Sequence, residues 1–188
     1  MSFHKPNTFH PLTTILLFLF TLAFSGPLAA QDTYVYVEDG FEVDYPSTWR
    51  LDASKTMGPV VFFYSPPEGA NDQFQENVNL LIQELGSTEI DLKEYTKLTK
   101  EQVKDWEAEI IRMDQIKDTE DGIPEGIYEY TANQFGMELH ILQRVKIKDG
   151  KAYLLTYTAG QDTYDQYLKV AEGILQSFQF TPAADGGE

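Results

Sequence analysis

Residues 137–158 constrain this chain more than any other stretch. Met137, Leu139, Ile141, Val145 and Ile147 alternate with Glu138, His140, Arg144 and Lys146. That two-residue period predicts a strand with one apolar and one polar face. Lys148-Asp149-Gly150-Lys151 follows, and Asp-Gly at the centre of such a run signals a two-residue hairpin. Residues 152–158 are apolar or aromatic on both faces, which predicts a strand in the middle of a sheet. A central antiparallel hairpin of this kind calls for more strands beside it and for helices to cover it.

The rest of the sequence supplies both. Before the hairpin, strands are expected at residues 34–37, 41–45, 60–64, 77–85, 109–116 and 126–132, with turns at Asp39-Gly40 and 118–122. Pro46 ends the second strand because it cannot donate to a ladder, and Trp49 and Leu51 read as its continuation. Residues 60–64 are all apolar and read as covered on both faces. Residues 65–75, rich in Pro, Gly, Asn and Asp, read as a loop. Asp91 is a good N-cap, with Glu94 three residues on, and Leu92, Tyr95, Leu98, Thr99, Val103 and Trp106 form a helical stripe. A second helix spans 161–176, with Tyr164, Tyr167, Leu168, Ala171, Ile174 and Leu175 on one side, before a short strand at Phe178 and Phe180. Tight turns make the sheet largely antiparallel, so the expected class is α+β: an antiparallel sheet flanked by helices.

Residues 1–30 differ in kind. Lys5 is their only charge, and the apolar run at 12–24 gives way to Ser25-Gly26-Pro27 and then Leu28-Ala29-Ala30. This order describes a secretory signal peptide cleaved after Ala30. Thirteen residues make a helix of roughly 20 Å, short of a hydrocarbon core of about 30 Å. The expected organisation is a leader at 1–30, one domain at 31–182 and a frayed tail at 183–188. An exported protein, periplasmic or secreted and without stable membrane insertion after cleavage, follows.

Composition narrows the chemistry. The chain carries −16, or −17 once Lys5 leaves with the leader. Such acidity repels polyanions, so no nucleic-acid partner is expected. With no cysteine, thiolate metal sites, cysteine nucleophiles and disulfides are excluded. His140 is the only histidine beyond residue 30, too few for a multi-histidine zinc site, and it reads as a surface residue in a charged ladder. There is no Gly-x-Ser-x-Gly elbow and no phosphate loop. Asp118, Glu120 and Asp121 before Gly122 form the one loop suited to calcium, though not at EF-hand spacing. Tyr45, Trp49, Trp106, Tyr128, Tyr130, Tyr153 and Tyr157 either fill the core, the preferred reading, or leave rings at a sheet face. For such a partner-binding surface, Tyr45, Trp49, Tyr128 and Tyr130 are the candidates.

Several of these pieces together resemble a known family. Residues 36–49 read Tyr-Val-Glu-Asp-Gly-Phe-Glu-Val-Asp-Tyr-Pro-Ser-Thr-Trp, a Gly-Phe-x-x-x-Tyr-Pro-x-x-Trp element. The apolar strand at 60–64, Asn77-Val78-Asn79-Leu80, the 148–153 hairpin and the closing Gln176-Ser177-Phe178 follow in order. This order is similar to the PsbP-like (Mog1/PsbP) superfamily over nearly the whole of 34–180. The resemblance implies an αβα sandwich and a mostly non-enzymatic family. Its best-known group is the extrinsic subunit that helps photosystem II retain calcium and chloride, and another group binds a small nuclear GTPase. The loop at 53–59 departs from the photosystem pattern, and strand character begins too soon after residue 30 for that group's docking extension. The leading expectation is a non-catalytic extracytoplasmic accessory module that contacts an unknown protein partner and holds no cofactor. The alternatives are a photosystem II extrinsic-subunit-like protein with weak calcium binding, which needs a phototrophic source and a thylakoid lumen, and a carboxylate-based hydrolase.

Overall fold

The structure is a computed structural model, and it describes residues 32–182 except positions 39, 71, 73, 87–89, 107 and 135. The expected leader and the tail at 183–188 lie outside the described residues. Among the described residues ten strands and two helices follow in the order β1 (Thr33–Glu38), β2 (Phe41–Pro46), β3 (Arg50–Asp52), β4 (Val61–Tyr64), β5 (Asn77–Glu84), α1 (Leu92–Asp105), β6 (Glu109–Ile116), β7 (Glu125–Gln134), β8 (Met137–Lys148), β9 (Lys151–Gly160), α2 (Tyr164–Ser177) and β10 (Gln179–Phe180).

The β8–β9 hairpin is the axis of the molecule. Asp149 and Gly150 both take positive φ, 51° and 72°, the pair of left-handed residues that a type I′ turn demands. That turn fixes Lys148 opposite Lys151, and the register runs without a slip to Leu139 opposite Gly160. A seven-stranded sheet grows outward from it in the order β3-β4-β5-β9-β8-β7-β6, every pair antiparallel. β9 is fourth of seven and buries residues on both faces, as its sequence predicts. A separate sheet, β1-β2-β10, is also antiparallel.

The two sheet faces carry different cores. On one face α1 lays Leu92 and Tyr95 on Tyr128, Val145, Ala152 and Leu154, and Val103 on Tyr130, Ala132, Leu139 and Ile141. On the other, α2 and the small sheet share a core: Phe41, Val43, Ala171, Ile174, Leu175 and Phe178 meet Phe63, Val78, Leu80, Leu155 and Tyr157. The observed α+β fold, a mainly antiparallel sheet with helices on it, is the expected one. Among the described residues no helix is long and apolar enough to cross a membrane.

Several local expectations need correction. Trp49 and Leu51 do not continue β2. Pro46 ends that ladder, Trp49 turns back with its N–H on the Pro46 carbonyl at 2.9 Å, and β3 joins the other sheet. In β4 only Val61 and Phe63 are fully covered. Phe62 and Tyr64 are half-buried and stack on each other at 5.4 Å, with the Arg50 guanidinium 4.3 Å from the Tyr64 ring. α1 opens as expected, Asp91 accepting from the Glu94 N–H at 2.8 Å, yet Leu98 and Trp106 are 44% and 48% exposed. At 100° per residue Leu98 lies about 120° from Leu92, and Trp106 is the C-cap, where the backbone has left the helix. Gly126 has a packing duty: a Cβ there would lie 2.6 Å from the Tyr128 hydroxyl and 2.8 Å from its ring, so the fully buried Tyr128 lies over a residue with no side chain.

Leu80 has no exposed surface while Leu98 is nearly half exposed. Leu80→Ala should therefore cost about 2–5 kcal/mol and Leu98→Ala less than about 0.5 kcal/mol in urea denaturation.

Candidate functional site

β8's polar face is not wet. β7 and β8 pair so that Glu125 lies opposite Lys146, Ile127 opposite Arg144, Glu129 opposite Leu142 and Thr131 opposite His140. This is the face that α2 covers, and Glu125, Glu129, His140, Arg144 and Lys146 on it are each held by a partner.

Glu129 is the first centre. Its carboxylate takes Arg112 Nε at 2.7 Å on one oxygen. The other oxygen takes His140 Nε2 at 2.9 Å and the Tyr164 hydroxyl at 3.1 Å. An ionised carboxylate only accepts, so His140 carries its proton on Nε2. The His140 ring lies flat on Tyr164, centroids 3.4 Å apart and planes 5° from parallel. His140 is therefore a largely buried structural residue and not the surface histidine its position suggests. Burial, then the charge and hydrogen bond of Glu129, push the Tyr164 phenol far above the ordinary tyrosine range. Tyr157, stacked on Tyr164 at 5.2 Å and donating to its carbonyl at 2.9 Å, is raised for the same first reason, burial.

Glu125 is the second centre. It is almost wholly buried and holds Arg144 through two bonds, to Nε at 2.9 Å and to Nη2. Lys146 does not use Glu125, its cross-strand neighbour. It reaches Asp121 Oδ2 at 2.5 Å instead. Burial acts to raise the Asp121 carboxyl, but the Lys146 hydrogen bond, with smaller help from the Ile123 N–H and Thr119, outweighs it and holds the group below the usual aspartate range.

Beside these pairs opens a cleft of about 600 Å³ between the sheet and the C-terminal end of α2. Asp44, Asp118, Glu120, Asp121 and Glu125 line it together with Arg144, Lys146, Ile116 and the 175–179 segment. A recess of about 130 Å³ adjoins it, sharing Arg144, Leu175 and Gln176 and adding Arg112 and Glu172. Both cations in the cleft belong to their own carboxylates, and Asp44, Asp118 and Glu120 have no ion-pair partner among the described residues. α2 has no basic residue in its last turn, so its carbonyl end adds to the negative field. The two hydroxyls in the lining serve the main chain: Thr119 donates to the Ile123 carbonyl at 2.8 Å and Ser177 to the Ile174 carbonyl at 2.8 Å. Ser177 Oγ also accepts the Asp44 N–H at 2.9 Å, stitching the end of α2 to β2. The lining of this cleft therefore carries a surplus of negative charge.

The acidic loop therefore does stand at this cleft, with Asp118, Glu120 and Asp121 all in its wall. Asp121 is committed to Lys146. Among the described residues, no three histidine or carboxylate side chains come together as a metal-holding group. The aromatic surface candidates fare differently. Trp49, Tyr128 and Tyr130 are buried and line no surface: α1 covers the two tyrosines, and Trp49 packs in the opposite core against Tyr167 of α2. Tyr45 is half-buried between Tyr34 and Phe63, at 5.8 and 4.8 Å. Arg112, Glu125, Glu129 and Arg144 are absent from the sequence-based candidates. Their signal, charges at two-residue spacing on adjoining strands, becomes legible only once the β7–β8 register is known.

A family model described as PsbP matches residues 30–180. The chain belongs to the PsbP family. None of the curated proteins matches it. Three solved structures share the fold. The cyanobacterial PsbP, CyanoP, of Synechocystis sp. PCC 6803 has TM-score 0.57 at 20% identity, covering 85% of this chain and 99% of its own. LpqN of Mycobacterium tuberculosis, a protein involved in cell envelope biogenesis, has 0.58 at 14%, covering 81% and 92%. PA94 of Pseudomonas aeruginosa, a protein of unknown function, has 0.57 at 12%, covering 80% and 99%.

In this PsbP-family chain, Glu125→Gln strands a buried guanidinium and should cost about 3 kcal/mol, whereas the double variant Glu125→Leu/Arg144→Met should recover most of that loss in denaturant melts. Asp121 gives a pH signature. A depressed carboxyl contributes stability that is complete above the unfolded value of about 4 and lost as pH falls through the folded value. Lys146→Met removes that contribution, so its stability should lie below the wild type at pH 7 and converge with it at low pH.

Proposed function

We propose that this PsbP-family protein is a non-catalytic extracytoplasmic accessory module whose acidic cleft receives a lysine- or arginine-bearing segment of another protein. The observation that carries the reading is the charge pattern of the cleft. Five carboxylates surround two cations that are already taken, at the uncompensated carbonyl end of a helix. Such a site favours cations and repels anions over a distance of about a Debye length. Family membership supports an accessory role, and the involvement of the similarly folded LpqN in cell envelope biogenesis supports the setting.

Calorimetry with a lysine-rich peptide, at low and at 0.5 M salt, tests the cleft. Binding should weaken steeply with salt. Asp118→Asn/Glu120→Gln should weaken it about three- to tenfold, the range expected for losing two exposed charge contacts. Binding that ignores both salt and this double variant would exclude the cleft as the contact surface.

A further inference from the structure

The outer edges of the two sheets differ in how they are protected. Backbone N–H and C=O groups left open at a sheet edge template pairing with another chain, and proteins blunt such edges by shortness, bulges or charge. β3 has three residues and β10 two. β6 has eight, but its pairing with β7 slips between Ile110 and Arg112, and it carries Glu109, Arg112 and Asp114. β1 has only one of these defences, a single charge at its turn end, Glu38. It runs six residues in unbroken register with β2, and Tyr34, Val35, Tyr36 and Val37 carry no charge. Tyr34, Val35 and Val37 are 54%, 54% and 63% exposed.

From this contrast we infer that β1 is a docking edge, which takes an extended segment of a partner protein as an added strand. The inference rests on the strand edges and not on the charges of the cleft. Glu38 pairs with Phe41 across a two-residue turn, and the Ser47 N–H bonds the Asp32 carbonyl. Hydrogen-bonded and non-hydrogen-bonded positions alternate along an antiparallel pair. The even-numbered residues therefore face β2, and the N–H and C=O of Val35 and Val37 face outward.

Charge selects the occupant. On the exposed face of this ribbon Val35 lies opposite Asp44 and Val37 opposite Glu42, and Asp32 precedes β1, while the Glu38 carboxylate at its end is held by Tyr36 and Lys55. A second copy is a poor fit: antiparallel pairing would set these acidic ends side by side, between chains of −16 each. The fitting partner strand alternates small β-branched residues and carries Lys or Arg at its ends, which offset the negative field of Asp32, Glu42 and Asp44 across this ribbon.

The probe is the peptide acetyl-Lys-Val-Thr-Val-Thr-Val-Lys-amide, with a Glu-ended counterpart, titrated into the protein and followed by amide hydrogen exchange. The Lys-ended peptide should slow exchange at Val35 and Val37 at least tenfold. The Glu-ended peptide should bind at least tenfold more weakly. Val35→Pro removes one outward N–H without touching the β2 ladder and should abolish the effect. Should that variant fail to fold, Val35→Lys keeps the amide and must reverse the preference toward the Glu-ended peptide. Asp118→Asn/Glu120→Gln, which disables the cleft, should leave this protection unchanged. Three results would overturn the inference: no slowing at saturating peptide, protection that disappears in the cleft variant, or protection produced by raising protein concentration alone, which would mean a second copy.

Discussion

Three carboxylates lie along the face that α2 covers, and the arrangement of that half of the molecule follows from keeping each of them satisfied. Glu76, at the start of the helix, accepts from Ser65 at 3.1 Å and from Thr163 at 2.5 Å. Glu129, under its first turn, has Arg112, His140 and Tyr164. Glu125, near its last turn, has Arg144. Taking an ion out of water costs several kcal/mol unless its lone pairs are met, so none of these positions tolerates a missing partner. The demand explains otherwise odd choices. Thr163 precedes α2 yet does not cap it, because its hydroxyl serves Glu76. Tyr164 presents its edge to Glu129 and its face to His140. Among the described residues no buried side-chain nitrogen or oxygen is left without a partner.

The same requirement shapes the cleft. Arg144 and Lys146 project from β8 on the α2 side, and both are neutralised by acids of this chain before any visitor arrives. What remains facing solvent is the surplus of carboxylates. A chain that used Arg144 and Lys146 to bind an anion would first have to break two ion pairs. A cationic visitor meets no such obstacle.

Much of the fold was legible in residues alone, because its determinants are local. Asp149-Gly150 names its own turn type, the two-residue period of 137–147 gives a strand, and Asp91 with Glu94 marks the start of a helix. The reading failed where a third element decides the outcome. Nothing near His140 signals that a helix arriving 24 residues later will roof it. Leu98 and Trp106 look like stripe residues until the helix phase and the C-cap are fixed. Trp49 changes sheets because Pro46 stops one ladder, and the sequence shows the stop without the destination. For the candidate site, the acidic loop was visible as a charge run, but its neighbours in the cleft come from β2, β7, β8 and α2, a convergence that only the register and topology supply.

Ser177 and Phe178 close the chain's motif, and the structure shows what they close upon. The Ser177 hydroxyl holds the backbone of Asp44, 133 positions earlier, and the Phe178 ring rests 5.8 Å from that of Phe41. β2 thus gains this support only when residues 177 and 178 dock against it. Contacts this distant in sequence form slowly. Completion of the small sheet therefore waits on a closure spanning 133 positions of the chain.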